Sequence, residues 1–82
     1  MKFFVYILEC RDKTLYTGYT NDITKRVIAH NTLKTGARYT KARRPVKLVY
    51  SKVYKTKSEA LKRENSIKKM TRGDKLKLIY PR

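Results

Sequence analysis

Five side chains in this 82-residue sequence have types suited to moving protons and holding anions: Tyr6, Tyr16, Arg26, His30 and Glu64. Phenols and an imidazole carry protons, a guanidinium presents a rigid fork of donors, and a carboxylate accepts hydrogen bonds or a cation. On intrinsic pKa alone His30 is the more natural base, near ~6.5, whereas a free phenol near ~10 is a poor one at neutral pH. Whether the five can act together depends on the elements that carry them.

The two tyrosines belong to runs that read as β-strands. Val5-Tyr6-Ile7-Leu8 and Leu15-Tyr16-Thr17-Gly18-Tyr19 crowd β-branched and aromatic residues together, and the turn formers Arg11-Asp12-Lys13-Thr14 lie between them. A hairpin in which Cys10 faces Thr14 across a three-residue loop puts Tyr6 opposite Gly18 and Leu8 opposite Tyr16, with both phenols on one face. Gly18, lacking a side chain, is expected to leave that face open above Tyr6. A slip of one residue would send the rings to opposite faces.

Arg26 and His30 fall on a helix that Asn21 or Asp22 can cap and that runs to about Asn31. Ile23 and Val27 form its packing stripe, and Arg26 and His30, four apart, lie along one edge of it. Glu64 falls on a second long helix, capped by Ser58 and running to about Met70, inside an inward arc of Ala60, Leu61 and Ile67. A carboxylate there must meet a cation, a metal or strong donors, because burying it unpaired is costly. An ion pair with one of the many Lys and Arg residues is the structural alternative. Two phenols, an arginine and the only histidine are expected to face one patch of sheet.

The remaining elements follow in order. The first strand, from about Lys2 to Cys10, is apolar on both faces and suits a central position. The segment from Leu33 to Arg44 is irregular, and Arg38, Lys41, Arg43 and Arg44 surround Tyr39-Thr40. Basic residues around an aromatic ring suit single-stranded nucleic acid, through backbone attraction and base stacking, and Lys68 on the second helix joins this candidate nucleic-acid set. Val46 to Tyr54 reads as the third strand, and Thr71, three residues before Asp74, opens a short last helix that Pro81 closes. The order is ββαβαα in one domain, residues 1–82, without repeats or low-complexity segments.

Lys and Arg number 22 against six acidic residues, a formal charge of +16. Folding cannot drive such an excess, since like charges repel in the compact state; a polyanionic partner can, and nucleic acid is the first candidate. A membrane surface fits less well, because the charge is spread over every segment and does not flank an amphipathic helix of strong hydrophobicity. Cys10 and His30, each the only residue of its type, exclude a Cys–His zinc site; no Ser-His-Asp set or glycine-rich phosphate loop can be assembled either. Met-Lys-Phe-Phe at the start lacks the apolar run of a signal peptide, and with a lone cysteine the expected compartment is the cytoplasm.

Val5-Tyr6-Ile7, Tyr16-Thr17-Gly18, Arg26, His30 and Glu64 in this order resemble the signature of the GIY-YIG nucleases. Leu15-Tyr16-Thr17-Gly18, Ala29-His30-Asn31, Gly36-Ala37-Arg38-Tyr39-Thr40, Arg44-Pro45-Val46 and Ser58-Glu59-Ala60-Leu61-Lys62-Arg63-Glu64 resemble, more closely, the small stand-alone UPF0213-like members of that superfamily. The likeness covers nearly the whole chain. It implies an α+β fold, a three-stranded antiparallel sheet flanked by helices, and divalent-metal-dependent hydrolysis of phosphodiesters. By the same resemblance Glu64 would hold one Mg²⁺ or Mn²⁺, which needs only one carboxylate beside its waters. Arg26 would bind the scissile phosphate. Tyr16 would orient or deprotonate the attacking water, with Tyr6 supporting it and His30 accepting or relaying the proton; which of the three takes the proton is open. Nearby cations and the metal would favour the phenolate. Thr17 stands where the family's motif has Ile.

These readings point to a DNA endonuclease acting on structured or single-stranded regions, with no small-molecule cofactor, working as a monomer or weak homodimer. An accessory nucleic-acid-binding module with little cleavage, or an RNA- or ribosome-associated basic protein, is the reading from another class. Metal dependence separates them; salt dependence does not, since all three would bind a polyanion.

Overall fold

The computed structural model describes residues 2–32 and 38–81, apart from the side chains of Arg38 and Tyr39. Strand β1, Phe3–Glu9, turns into β2, Leu15–Thr20, and then come helix α1, Ile23–Thr32, the four-residue α2, Arg38–Lys41, strand β3, Lys47–Tyr54, and helices α3, Lys57–Lys68, and α4, Arg72–Ile79. The sheet is antiparallel in the order β2-β1-β3. A central β1 explains why that strand is apolar on both faces, for each is covered.

The hairpin has the expected register, Tyr6 opposite Gly18 and Leu8 opposite Tyr16. Local chemistry holds it there. Cys10 N donates to Thr14 O at 2.9 Å, Lys13 N donates to Cys10 O, and Lys13 takes the left-handed φ of 71° that a three-residue loop demands at its last position. Asp12 Oδ1 ties the turn by accepting from Thr14 N at 3.1 Å and Thr14 Oγ1 at 2.6 Å.

Alternation along β1 divides the interior in two. Val5 and Ile7 pack with Ala60 and Ile67 of α3 on one face. Tyr6, Leu8 and Cys10 pack with Val46, Ile23 and Val27 on the other, beneath α1. Burying a Val, Ile or Leu side chain contributes about 1.5–3 kcal/mol, so each pair of inward residues is enough to seat its helix.

Caps set the helix limits. Asp22 Oδ1 accepts from Lys25 N at 3.0 Å at the start of α1. The cap of α3 is Thr56, not Ser58: its extended backbone and its hydroxyl, accepting from Glu59 N, close a box with the Glu59 carboxylate three residues on. Ser58 has no Glu or Gln at that spacing and lies inside the first turn. Thr71 caps α4 as its spacing to Asp74 suggests. The segment read as irregular holds α2, closed by Arg43 N to Thr40 O at 3.0 Å. Asn31 then clamps the start of β3, donating to Val46 O at 3.0 Å and accepting from Val46 N at 2.7 Å. No helix among the described residues is long and apolar enough to cross a membrane.

Candidate active site

Tyr6 projects from the middle of β1 toward α1 and is 1% exposed. Its Oη shares a hydrogen bond of 2.9 Å with His30 Nε2, and His30 Nδ1 lies 2.8 Å from Thr40 Oγ1. Arg26 donates from its side chain to the Tyr6 phenol. The Tyr16 ring stands 6.5 Å from that of Tyr6 and 5.1 Å from that of His30, centroid to centroid. Four of the five residues singled out in the sequence therefore meet on one face, joined by Thr40 from α2. His30 is not at the edge of the α1 stripe but within it: Ile23, Val27 and His30 follow the i, i+4, i+7 pattern, and the imidazole is 0% exposed.

Gly18 makes this packing possible. A Cβ there would lie 2.6 Å from Tyr6 Oη and 2.7 Å from its Cζ, so the face above Gly18 is filled by the Tyr6 ring itself instead of standing open.

Burial decides the charge states. It pushes the Tyr6 phenol up to about 12, although the hydrogen bond and charge of Arg26 pull the other way. It also brings the His30 imidazole down to about 4, helped by the charges of Arg26 and Arg44. Both groups are neutral at neutral pH. The expectation that nearby cations favour a phenolate does not hold for Tyr6, because taking an anion out of water costs more than one guanidinium returns. His30 likewise loses the advantage its intrinsic pKa gave it as a base.

The sign of the resulting pH dependence follows. His30 has a folded pKa below its unfolded 6.5, so its contribution is complete above that value and is lost as pH falls toward about 4. Tyr6 has a raised pKa, so its contribution is complete below 10 and is lost as pH rises toward about 12. Between about pH 7.5 and about pH 5, urea unfolding should show a loss of about 2 kcal/mol from His30. His30→Gln, which cannot titrate, should lose much less. An equal acid loss in that variant would assign the effect to other groups.

Glu64 is 8% exposed between the fully buried Ala60 and Ile67, as the helical arc requires. Its helix covers the Val5–Ile7 face, so Glu64 comes to the cluster from a different element and a different layer than Arg26 and His30. The carboxylate still acts on the cluster, since its charge opposes ionisation of Tyr6. Its ion pair is with Lys68, Nζ to Oε2 at 3.4 Å, with the lysine half exposed. Thr17, paired with Ile7 on this same face, is 4% exposed, and its hydroxyl has no hydrogen-bond partner among the described residues.

This donor set bears on a metal. No group of three or more His, Cys, Asp and Glu side chains that could hold an ion occurs among the described residues, which excludes a zinc centre there. One nearly buried carboxylate suits a hydrated hard cation, which keeps most of its waters and takes one or two carboxylates.

The basic set divides. Arg43 Nε contacts Asp12 Oδ2 at 3.1 Å. Arg44 Nε donates to His30 O at 2.5 Å and its Nη2 to Ala29 O at 3.3 Å, so this guanidinium closes the C-terminal end of α1. Lys68 pairs with Glu64, Lys41 is exposed, and the side chains of Arg38 and Tyr39 lie outside those described. Arg43, Arg44 and Lys68 thus offer a polyanion their charge more than open donors. Thr40 and Thr17 were not singled out for chemistry. The first acts through a contact between two helices, α1 and α2, and nothing in local sequence distinguishes such a threonine from any other.

Comparison with known proteins bears on the fold and the family. Residues 2–77 match the GIY-YIG catalytic domain. The chain is 63% identical over 78 residues to the UPF0213 protein of Staphylococcus epidermidis, covering 95% of this chain and 94% of that protein. It is 60% identical over 78 residues to the UPF0213 protein of Syntrophus aciditrophicus, covering 95% and 90%. The solution structure of the UPF0213 protein of Bacillus halodurans superposes with a TM-score of 0.62 at 40% identity, over 96% of this chain and 83% of that one. A protein of E. faecalis solved in solution gives 0.63 at 40% identity, over 92% and 79%. Endonuclease potential and nucleic acid as the class of substrate come with the domain. A family model spanning nearly the whole chain, relatives alike end to end and the shared sheet topology lead to one conclusion: the chain belongs to the GIY-YIG family, with the small UPF0213 proteins.

Proposed function

We propose that this protein is a divalent-metal-dependent endonuclease that hydrolyses phosphodiester bonds in DNA. The observation that carries the reading is the buried chain Thr40–His30–Tyr6, ending on Arg26 and lying beside Tyr16. A small core gains little from burying three polar side chains, each of which must then be satisfied. Such a chain earns its place by fixing a guanidinium and a phenol.

Arg26 binds the scissile phosphate and meets the charge that grows on its oxygens. Tyr16, half-buried beside the rings of Tyr6 and His30, is the phenol that can orient an attacking water. His30 cannot take the water's proton directly, being fully buried with both ring nitrogens in hydrogen bonds; it holds Tyr6, and Tyr6 holds Arg26. Glu64 would hold Mg²⁺ or Mn²⁺, which when bound supplies charge neutralisation at the phosphate and a more acidic water. Hydrolysis joins the water oxygen to phosphorus and breaks the ester P–O bond, and the leaving oxygen takes up a proton.

The test incubates the protein with labelled single-stranded, duplex, flap and branched DNA in Mg²⁺, Mn²⁺ or EDTA. Cleavage should require the metal, and Tyr16→Phe should lower its rate about a hundredfold with binding retained. Binding without cleavage in any metal would leave an accessory binding module; cleavage that survives in EDTA and in Tyr16→Phe would place the activity elsewhere.

A further inference from the structure

We infer that the cleft where the end of β2 meets α1 and α3 is a subsite for one unpaired nucleotide next to the scissile phosphate. The inference rests on the nuclease reading above and adds the form of DNA the site takes.

The cleft has a volume of about 470 Å³ and is lined by Phe3, Tyr19, Thr20, Asn21, Arg26 and Lys57. That size falls in the range of small-ligand sites, about 300–1,000 Å³. Its lining has the chemistry of a nucleotide: two aromatic rings for a base, a hydroxyl and an amide for polar edges, two cations for phosphate, and no acidic residue. The rings are held in place, since Phe3 and Tyr19 pack against the Val5–Ile7 core and Tyr19 pairs with Val5 in the sheet. Lys57 Nζ lies 6.0 Å from the Tyr19 ring centre, the outer limit of a cation–π contact, so this exposed ammonium can turn to a neighbouring phosphate at little cost.

Arg26 joins the cleft to the polar cluster. The same residue that hydrogen-bonds Tyr6 forms a wall of this cleft. A phosphate on Arg26 therefore leaves the adjoining nucleoside at the mouth, with Tyr19 and Phe3 as the nearest stacking surface. A base still paired inside a duplex cannot present its face to those rings; an unpaired one can, whatever its identity. The substrate would then be DNA with a single-stranded residue beside the cut, as at a flap or frayed end.

The test uses the full chain carrying Glu64→Gln, so that binding is read without cleavage. A single-stranded oligonucleotide with 2-aminopurine at successive positions should be quenched on binding, and a blunt duplex of the same sequence should not. Tyr19→Leu, which keeps apolar packing, should weaken the single strand about tenfold and the duplex less than about twofold, and Tyr19→Phe should restore it. Because Tyr19 also supports the core, a second arm needs no substitution there: 5-iodouracil at the unpaired position, irradiated in the complex, should cross-link to Tyr19 or Phe3. Absence of quenching, equal losses on both DNA forms, or cross-links confined to other rings would overturn the subsite. If quenching and cross-linking hold while protein without substitutions cleaves nothing, the nuclease reading falls and the subsite stands. If that protein cleaves and they are absent, the subsite falls alone.

Discussion

Replacing Glu64 by Leu is expected to leave the protein folded and slightly more stable while lowering metal-dependent cleavage about a thousandfold or more. The two effects have separate causes. Glu64 is 8% exposed on a stripe whose neighbours, Ala60 and Ile67, are fully buried. A buried carboxylate gives up hydration, and its ion-pair partner Lys68, half exposed at 3.4 Å, restores only part of what is lost. Leucine would extend the apolar stripe, and a net gain of about 1 kcal/mol follows. A gain in stability together with a loss of cleavage would mark Glu64 as the residue that holds the metal in the proposed mechanism. Urea unfolding and a cleavage assay on Glu64→Leu and Glu64→Gln check this together. A stability loss above about 2 kcal/mol with cleavage intact would make Glu64 a structural ion-pair residue instead.

Gly18→Ala should be among the most damaging substitutions in the chain. No glycine in the described residues has a positive φ, so Gly18 is needed for space and not for backbone freedom. An added Cβ meets Tyr6 Oη at 2.6 Å, Tyr6 Cζ at 2.7 Å and Tyr16 Cε2 at 3.2 Å. Tyr6 cannot swing aside, because it is enclosed and its hydroxyl is held by His30. The clash costs about 1–3 kcal/mol, and losing the Tyr6–His30 bond leaves a buried imidazole unsatisfied for about another 1–3 kcal/mol. The total, about 2–6 kcal/mol, is a large part of the stability of so small a domain. Cleavage should fall as well, since Arg26 rests on the displaced phenol. A double-mutant cycle with Tyr6→Leu, which removes both clashing atoms, should show coupling of at least about 1 kcal/mol. Strict additivity would mean that Gly18 matters for another reason.

Local sequence foretold most of what local forces control. The three-residue turn between Cys10 and Thr14 set the hairpin register, and the period of two then fixed which side chains share a face. The inward position of Glu64 followed from the 3.6-residue repeat of α3. The cap of that helix was misplaced by two residues because Ser58 and Thr56 are both good capping types, and only the partner three residues on separates them. The depth of His30 was underestimated because helical spacing tells which residues share a face but not which of them sits over the middle of the sheet.

The sequence by itself determined the strands, the three longer helices, the facing of Tyr6 and Tyr16, the large positive charge and the family. Only the tertiary structure decided that Thr40 completes the chain behind Tyr6, that Glu64 approaches from a different layer, and that Arg44 closes α1. It also decided that the phenol and the imidazole stay neutral. The reason is one of range. Periodicity and capping act over a few neighbours and are written in residue order, whereas desolvation and hydrogen-bond partners depend on which distant segments come together around a group.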